Sequence, residues 1–295
     1  MKTVQLNRIF DVELDVELDL EDGLEAILLQ NGRIKVRRIK QELEKVVTIK
    51  WGDHTKPRLY PGFTKIKGAT WDGKKGAYAL DEHGFPMVWI PVAILPNGLE
   101  RVNYDNSDLS DNGYHEDFPE WRRQQIIADG GFFTPANPAS WNKCSEKLQF
   151  CEGELPLNNI SYDNAVIEIR KLDTNEVGYR PIYGVEYDCI CEWLKMNGYS
   201  MTDSTKWGNY CDTPGREEGL ALIGSRKAAR TSIGLNDFAG TLWWITKEKR
   251  GCSYCAVRGG SYSNSGDDNP AGERSYIDTF DSYNDVGVWA VPFKK

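Results

Sequence analysis

The chain has 295 residues, a formal net charge of -8 and a pI near 5.1, with 40% hydrophobic and 12% aromatic residues. This acidity argues against sequence-independent nucleic-acid binding, which depends on neutralising phosphates with Lys and Arg. No apolar run approaches the ~18 residues of a membrane-spanning helix. Ten Trp, 14 Tyr and 28 Gly point to a loop-rich fold packed with aromatic rings, in one large domain or a small one followed by a larger one. Seven Cys without regular spacing are expected to be reduced and mostly buried, in a protein made in a reducing cytoplasm. The opening Met1–Asp11 has no apolar core of the kind a secretory leader needs, so action outside the cell would follow export within a particle.

From Phe10 to Leu20 apolar and acidic residues alternate without a fault, which predicts a long half-buried strand. Its row of carboxylates is either a solvated face that discourages edge pairing or a surface covered by a basic neighbour. Glu21-Asp-Gly23 and Gln30-Asn-Gly-Arg33 read as turns. The basic Ile34–Lys50 is a candidate partner for the acidic strand, within one small module or between subunits. Trp51–Gly62, with two Pro and two Gly, is the expected boundary, giving a β-rich N-terminal module over 1–54 and a larger domain over 55–295. Phe85–Val92 predicts a buried strand, and Pro119–Asp129 a short helix stopped by Gly130-Gly131. Asn103–Asp117 is rich in Asn and Asp but lacks the spacing of an EF-hand calcium loop. Pro135–Pro156 reads as irregular and Ala165–Leu172 as an alternating strand. Val185–Met196 has apolar residues near helical spacing and ends at Gly198. Ala239–Thr246 and Ala256–Arg258 are further strand candidates, with Trp243 and Trp244 assigned to packing. Cys252 and Cys255, with Cys189 and Cys191, form a weak zinc alternative, because Cys-x-Cys is poor structural zinc spacing.

The most informative stretch lies near the end. Between the apolar runs Cys255–Val257 and Val286–Val291, 16 of the 25 residues from Ser261 to Asp285 are Ser, Asn, Tyr or Asp. The segment has six carboxylates, no Lys and one Arg, Arg274. It cannot bury itself, yet core strands clamp both of its ends, which is the pattern of an ordered display surface. Tyr supplies rigid amphipathic area, and Ser and Asn supply adaptable hydrogen bonds, as in antibody loops.

Four motifs precede or enter this segment in order: Gly178-Tyr-Arg-Pro-Ile-Tyr-Gly-Val-Glu-Tyr187, Ile233-Gly-Leu-Asn-Asp-Phe-Ala-Gly-Thr-Leu-Trp-Trp-Ile-Thr246, Arg258-Gly-Gly-Ser-Tyr262, and Gly272-Glu-Arg-Ser275 followed by Gly287-Val-Trp289. Together they resemble the C-type lectin fold of the formylglycine-generating/sulfatase-modifying family. The resemblance covers roughly 60–295 and is firm from 178 on. It implies an α+β C-type lectin domain of the formylglycine-generating-enzyme type behind a small β-rich N-terminal module. The family's oxidases carry catalytic cysteines just after the Gly-Gly-Ser-Tyr motif. This chain has none between Ser261 and Lys295, Cys252 and Cys255 precede the motif, and His54, His83 and His115 lie far from all four motifs.

The chain is more similar to the variable proteins of diversity-generating retroelements, found at phage tail tips and on some bacterial surfaces. In these, adenine-directed mutagenesis diversifies exposed residues of the last strands. That resemblance implies a non-catalytic binder with no cofactor and no bound metal, and a variable region over about 253–291. Its display residues would be Tyr262, Ser263, Asn264, Asp267, Asp268, Asn269, Ser275, Tyr276, Asp278, Tyr283, Asn284 and Asp285, in one exposed patch. Arg258, Gly259, Gly260, Arg274 and Gly287 would be fixed framework. The implied partner is a host-cell surface receptor, protein or glycan. The implied assembly is a homo-oligomer, a trimer by the resemblance, attached through the N-terminal module to a virion tail or, alternatively, held at a bacterial surface. The other classes to weigh are a formylglycine-generating-type enzyme or its inactive relative, and a calcium-dependent surface lectin.

Overall fold

The computed structural model describes residues 2–6, 16–20, 24–28, 34–38, 51–53, 55–74, 76–104, 113–216 and 218–295. It divides into two compact units, Met1–Ile49 and Lys50–Lys295. In the small unit β1 (Lys2–Leu6) pairs antiparallel with β2 (Val16–Leu20), and β3 (Leu24–Leu28) with β4 (Ile34–Arg38). The acidic alternation is therefore strand from Val16 on, while its first half and both expected turns lie outside the described residues. The basic β4 hydrogen-bonds to its sequence neighbour β3, not to the acidic β2. A short connection costs less closure entropy than a long one.

Residues 51–53 pack with the large unit: Gly52 donates its amide to the Ile127 carbonyl at 2.8 Å, and Trp51 packs against the core. That unit is a β-rich α+β fold with three α-helices among the described residues. In chain order it contains β5 (Thr64–Lys65), β6 (Trp71–Asp72), β7 (Gly76–Leu80), β8 (Pro86–Ile90), β9 (Tyr114–His115), α1 (Glu120–Asp129), β10 (Phe132–Pro135), β11 (Ser140–Asn142) and β12 (Lys147–Gln149). There follow α2 (Tyr162–Arg170), β13 (Val177–Pro181), α3 (Gly184–Met196), β14 (Trp243–Arg250), β15 (Tyr254–Arg258), β16 (Arg274–Asp278), β17 (Val286–Val288) and β18 (Ala290–Lys294). No described helix is long and apolar enough to cross a membrane.

Three pairings organise the unit. One sheet runs β10-β8-β7-β5, a second runs β16-β15-β14-β17, and β13 pairs with β18. Strand alternation divides the core in two. Trp243 and Ile245 join one cluster with Trp89, Phe133 and Val257, while Trp244 joins the other with Trp289, Phe238 and Tyr187. Both faces of β14 are buried, so the Trp243-Trp244 pair is packing on both sides. The strand begins at Trp243 rather than Ala239, because the left-handed Gly240 breaks the run.

Two other expectations fail. Ala165–Leu172 is not a strand: the Ser161 hydroxyl accepts from the Asn164 amide and starts α2, which buries Ala165, Ile169 and, just beyond it, Leu172 at i, i+4, i+7. The Val166-Ile167-Glu168-Ile169 run mimics period 2, but Ile167 is exposed. The cysteines are all free, yet only Cys189, Cys191 and Cys255 are buried. Cys144, Cys211 and Cys252 sit exposed in turns.

Helix α3 is buried over its first eleven residues. Its Glu186 receives both terminal nitrogens of Arg180 at 2.7 Å each, Nε of Arg122 at 2.8 Å and the Tyr183 amide at 3.2 Å. Burial opposes ionisation of Glu186, but the two arginines hold its pKa down at about 2. Glu116 accepts the Gly184 and Val185 amides at the start of α3, and burial still pushes its carboxyl up to about 7. Asp237, raised by burial to about 6, accepts the Gly224 amide.

Glu186→Gln, which leaves two buried guanidinium groups without a charge partner, should cost about 3 kcal/mol or more in urea denaturation. A carboxyl with a raised folded pKa stabilises below its unfolded pKa and loses that contribution as pH rises through the folded value. Glu116 and Asp237 should therefore lower stability between about pH 4.5 and pH 7. Glu186 has the opposite sign, and its contribution should disappear as pH falls from about 4.5 towards 2. Denaturation at fixed ionic strength across this range checks both signs, and Glu116→Gln should flatten the upper slope.

Candidate functional site

The polar segment is anchored where β15 ends. Arg258 is fully buried and lies 4.7 Å over the Tyr187 ring. Its Nη2 donates to Asp188 at 2.7 Å and to the Gly272 carbonyl at 3.2 Å, and its Nε donates to the Glu273 carbonyl at 3.1 Å. Its Nη1 is 3.6 Å from Glu248. The cross-strand neighbour Arg274 gives Nη2 to the other Asp188 oxygen at 2.8 Å, Nε to Glu248 at 3.2 Å and Nη1 to the Val102 carbonyl at 2.9 Å. Arg101 also pairs with Glu248. Three arginines thus share two buried carboxylates, beneath the backbone of the Gly272–Glu273 turn. Burial and the nearby Arg274 both lower the pKa of Arg101.

After Arg258 the chain leaves the sheet through Gly259 and Gly260, with φ of 94° and 67°. The Gly259 carbonyl accepts the Tyr210 hydroxyl at 2.8 Å and the Gly240 amide at 2.9 Å. A Cβ on Gly260 would run into the Asn269 carbonyl oxygen. From there the loop is held from outside itself. Ser204 gives its amide to Gly266 and its hydroxyl takes the Ala271 amide, Asp212 takes the Gly266 amide, and Cys211 donates to the Asn264 carbonyl.

The twelve candidate display residues fall at three stations. At the first, buried Ser261 gathers Ser263, Asn264 and Asp285, its hydroxyl lying 2.9, 2.8 and 3.2 Å from their side-chain oxygens. Asn264 also accepts the Ser261 amide at 2.9 Å, so its amide oxygen serves the turn. Tyr262 is half-buried against the core, Asn269 is half-buried, and Asp267 and Asp268 are exposed at the tip. The second station is the edge strand β16. Tyr276 and Asp278 share one face by alternation, and Ser275 points to the other. Tyr276 is 45% exposed, meets Tyr254 edge-on at 5.4 Å and carries the Arg250 guanidinium 3.9 Å above its ring. The third station is Tyr283 and Asn284, whose carbonyls accept from the Asn159 amide and the Asn158 side chain. The structure therefore joins Ser263, Asn264 and Asp285 directly, and sets the β16 residues on the opposite edge of the sheet from β17.

Sequence reasoning missed Asp188 and Glu248, the acids of the ionic cluster. Glu248 sits in Lys247-Glu-Lys-Arg250, which reads as a solvated charge run; a β-bulge between Ile245 and Lys249 marks where it lies. It also missed Tyr254 and Arg250 beside Tyr276. The zinc alternative is corrected. Cys191 and Cys189 lie in one core cluster, Cys255 in the other, and Cys252 is exposed. Among the described residues no three His, Cys, Asp or Glu side chains converge as a metal site.

No family model matches the chain, and no curated protein matches it. Among solved structures, variable protein 1 of Treponema denticola is similar at a TM-score of 0.43 and 14% identity, over 71% of this chain and 96% of that one. CarF is similar at a TM-score of 0.39 and 15% identity, over 47% of this chain and 68% of that one.

Gly260→Ala, strained by its φ and by the Asn269 carbonyl, should destabilise the large unit by about 1–3 kcal/mol. Arg258→Lys should cost as much or more, because an ammonium cannot span Asp188 and two carbonyls at once. Thermal melts of the two variants beside wild type provide the check.

Proposed function

We propose that the chain is a non-catalytic binding protein that displays a diversified surface on a C-type lectin scaffold, as the variable proteins of diversity-generating retroelements do. Its place would be a phage tail tip, where it serves as the adhesin for a host-cell receptor. One observation carries this reading. Arg258 and Arg274 are 0% and 6% exposed and pinned by ion pairs, while Tyr276 and Tyr283, in the same stretch, are 45% and 41% exposed. Side chains at the exposed positions can change without touching the hydrogen bonds that fix the backbone. Exposed tyrosines are suited to be anchors, because binding energy concentrates in aromatic residues that become desolvated in a contact. The Asp side chains at the loop tip would steer a polar or basic partner. Thiol chemistry is disfavoured at Cys255, where burial pushes the thiol up to about 12.

Weak single sites gain from multiplicity, since linked sites raise avidity by ~10²–10⁴. The small N-terminal unit is the candidate for oligomerisation and attachment, and light scattering with and without it should report the loss of a trimer.

The central test replaces Ser263, Asp267, Asp268, Tyr276 and Tyr283 with Ala together. Exposed positions usually weigh within about 0.5 kcal/mol each, so the melting temperature should change little. Adsorption of the labelled protein to a panel of bacterial cells should vanish. A drop of many degrees would make these residues framework and sink the reading. The coding DNA offers a second check: a near-copy of its 3′ end, differing at adenines, beside a reverse transcriptase gene.

A further inference from the structure

The segment between α3 and β14 folds back on itself around a cleft of about 980 Å³. Its walls include Thr213, Arg216, Leu220, Leu222, Arg226 and Lys227. A cleft of this volume accommodates a small molecule or a sugar residue or two. The described charged side chains that line it are three cations against one acid, Glu218. Arg216 is the informative one. Its Nη2 donates to the Gly219 carbonyl at 3.2 Å, while its Nε is shut from water with no hydrogen-bond acceptor among the described residues. Desolvation, and then the like charge of Arg226, lower its pKa. A guanidinium that is half-buried, incompletely bonded and set beside another cation is stabilised by an incoming anion. Beside it, Leu220 and the 46% exposed Leu222 offer apolar surface to the body of a ligand.

The cleft is tied to the display loop. The Thr213 hydroxyl bridges the Tyr210 amide and the Gly208 carbonyl, and two residues earlier Cys211 donates to Asn264.

We propose that this cleft is a second ligand subsite, which takes the anionic group of an acidic sugar. Its lining residues, which begin at Gly208 and end at Ala228, precede the segment read as diversified. On the reading given above, the cleft would be a constant subsite beside a changeable one: it holds a charged group common to many surface glycans while the loop reads the rest. Binding of the anion itself does not depend on that reading.

The test is titration of the full chain at fixed ionic strength with glucuronate, glucose 6-sulfate, inorganic phosphate and glucose, followed by calorimetry. Glucuronate or glucose 6-sulfate should bind saturably and glucose should not; which of the two binds more tightly identifies carboxylate or sulfate as the group. Arg216→Gln and Lys227→Gln should each weaken binding about tenfold, the loss of one charge-assisted hydrogen bond. Ala228→Phe, which fills the cleft, should abolish it. Thermal melts verify that each variant folds, and an exposed Leu222→Gln variant should bind the acidic sugar with its charge contacts kept. The five-residue display variant should bind the acidic sugars as wild type does, which separates failure of the cleft from failure of the display surface. The proposal is overturned if neither acidic sugar binds, if glucose binds as well as they do, if phosphate alone binds, or if binding survives both Arg216→Gln and Ala228→Phe.

Discussion

Two carboxylates two residues apart near the start of α3 fix the geometry of the large unit. Glu186 binds Arg122 from α1 and Arg180 from β13; Asp188 binds Arg258 from β15 and Arg274 from β16. Four arginines from four elements therefore converge on one helical stretch. Ion pairs this deeply buried are not a source of much net stability, because desolvation offsets most of the attraction. They do enforce geometry: a shift of any one element leaves a buried charge unpaired. Glu248, brought in by β14, completes the arrangement by meeting Arg101, Arg258 and Arg274.

This arrangement explains how a segment with so little aliphatic content stays ordered. Nothing between Ser261 and Gly272 forms regular structure, and its own side chains bury little. Order comes from outside, through backbone bonds to Met201, Ser204, Cys211 and Asp212, and through Ala271 and Gly272 carbonyls held by Tyr187 and Arg258. Contacts made to the backbone do not depend on which side chain a position carries. The exceptions at Ser261 are Ser263, Asn264 and Asp285, whose side-chain oxygens meet its hydroxyl. A change at Asn264 or Asp285 is coupled to that turn, whereas Asp267 and Asp268 bond within the exposed tip, to the Asp268 amide and the Ser265 hydroxyl.

Legibility in the sequence followed the source of each signal. Motif order pointed to the large unit and to where the polar segment is clamped, because glycines and prolines at strand ends mark backbone geometry directly. Periodicity served α3, where Tyr187, Ile190, Trp193 and Leu194 are all buried. It failed at α2, where one exposed Ile completes a false alternation and only the Ser161 cap distinguishes helix from strand. Charge was the least legible feature. Asp188 and Glu248 resemble any surface acid when read in one dimension, and only the convergence of three arginines in space marks them as interior. The cleft between α3 and β14 was equally invisible, since Arg216 and Arg226 are ten residues apart and line one cleft only because the loop turns back.

The pairing of β13 with β18 has a consequence for synthesis. Val177–Pro181 finds its partner in Ala290–Lys294, made roughly 110 residues later. At about 5–20 residues per second, the ribosome leaves that edge of β13 uncovered for roughly 5–20 s. Arg180 and Glu186 are already present during that interval, and Arg122 has long since emerged, so the Glu186 pairing can form first. The Asp188 side waits for Arg258 and Arg274. The nascent chain would then carry a half-assembled interior and an open strand edge, the kind of surface that chaperones bind. The Asp188 half of the ionic core can therefore be completed only after Arg274 has been made, whereas the Glu186 half needs nothing beyond α3.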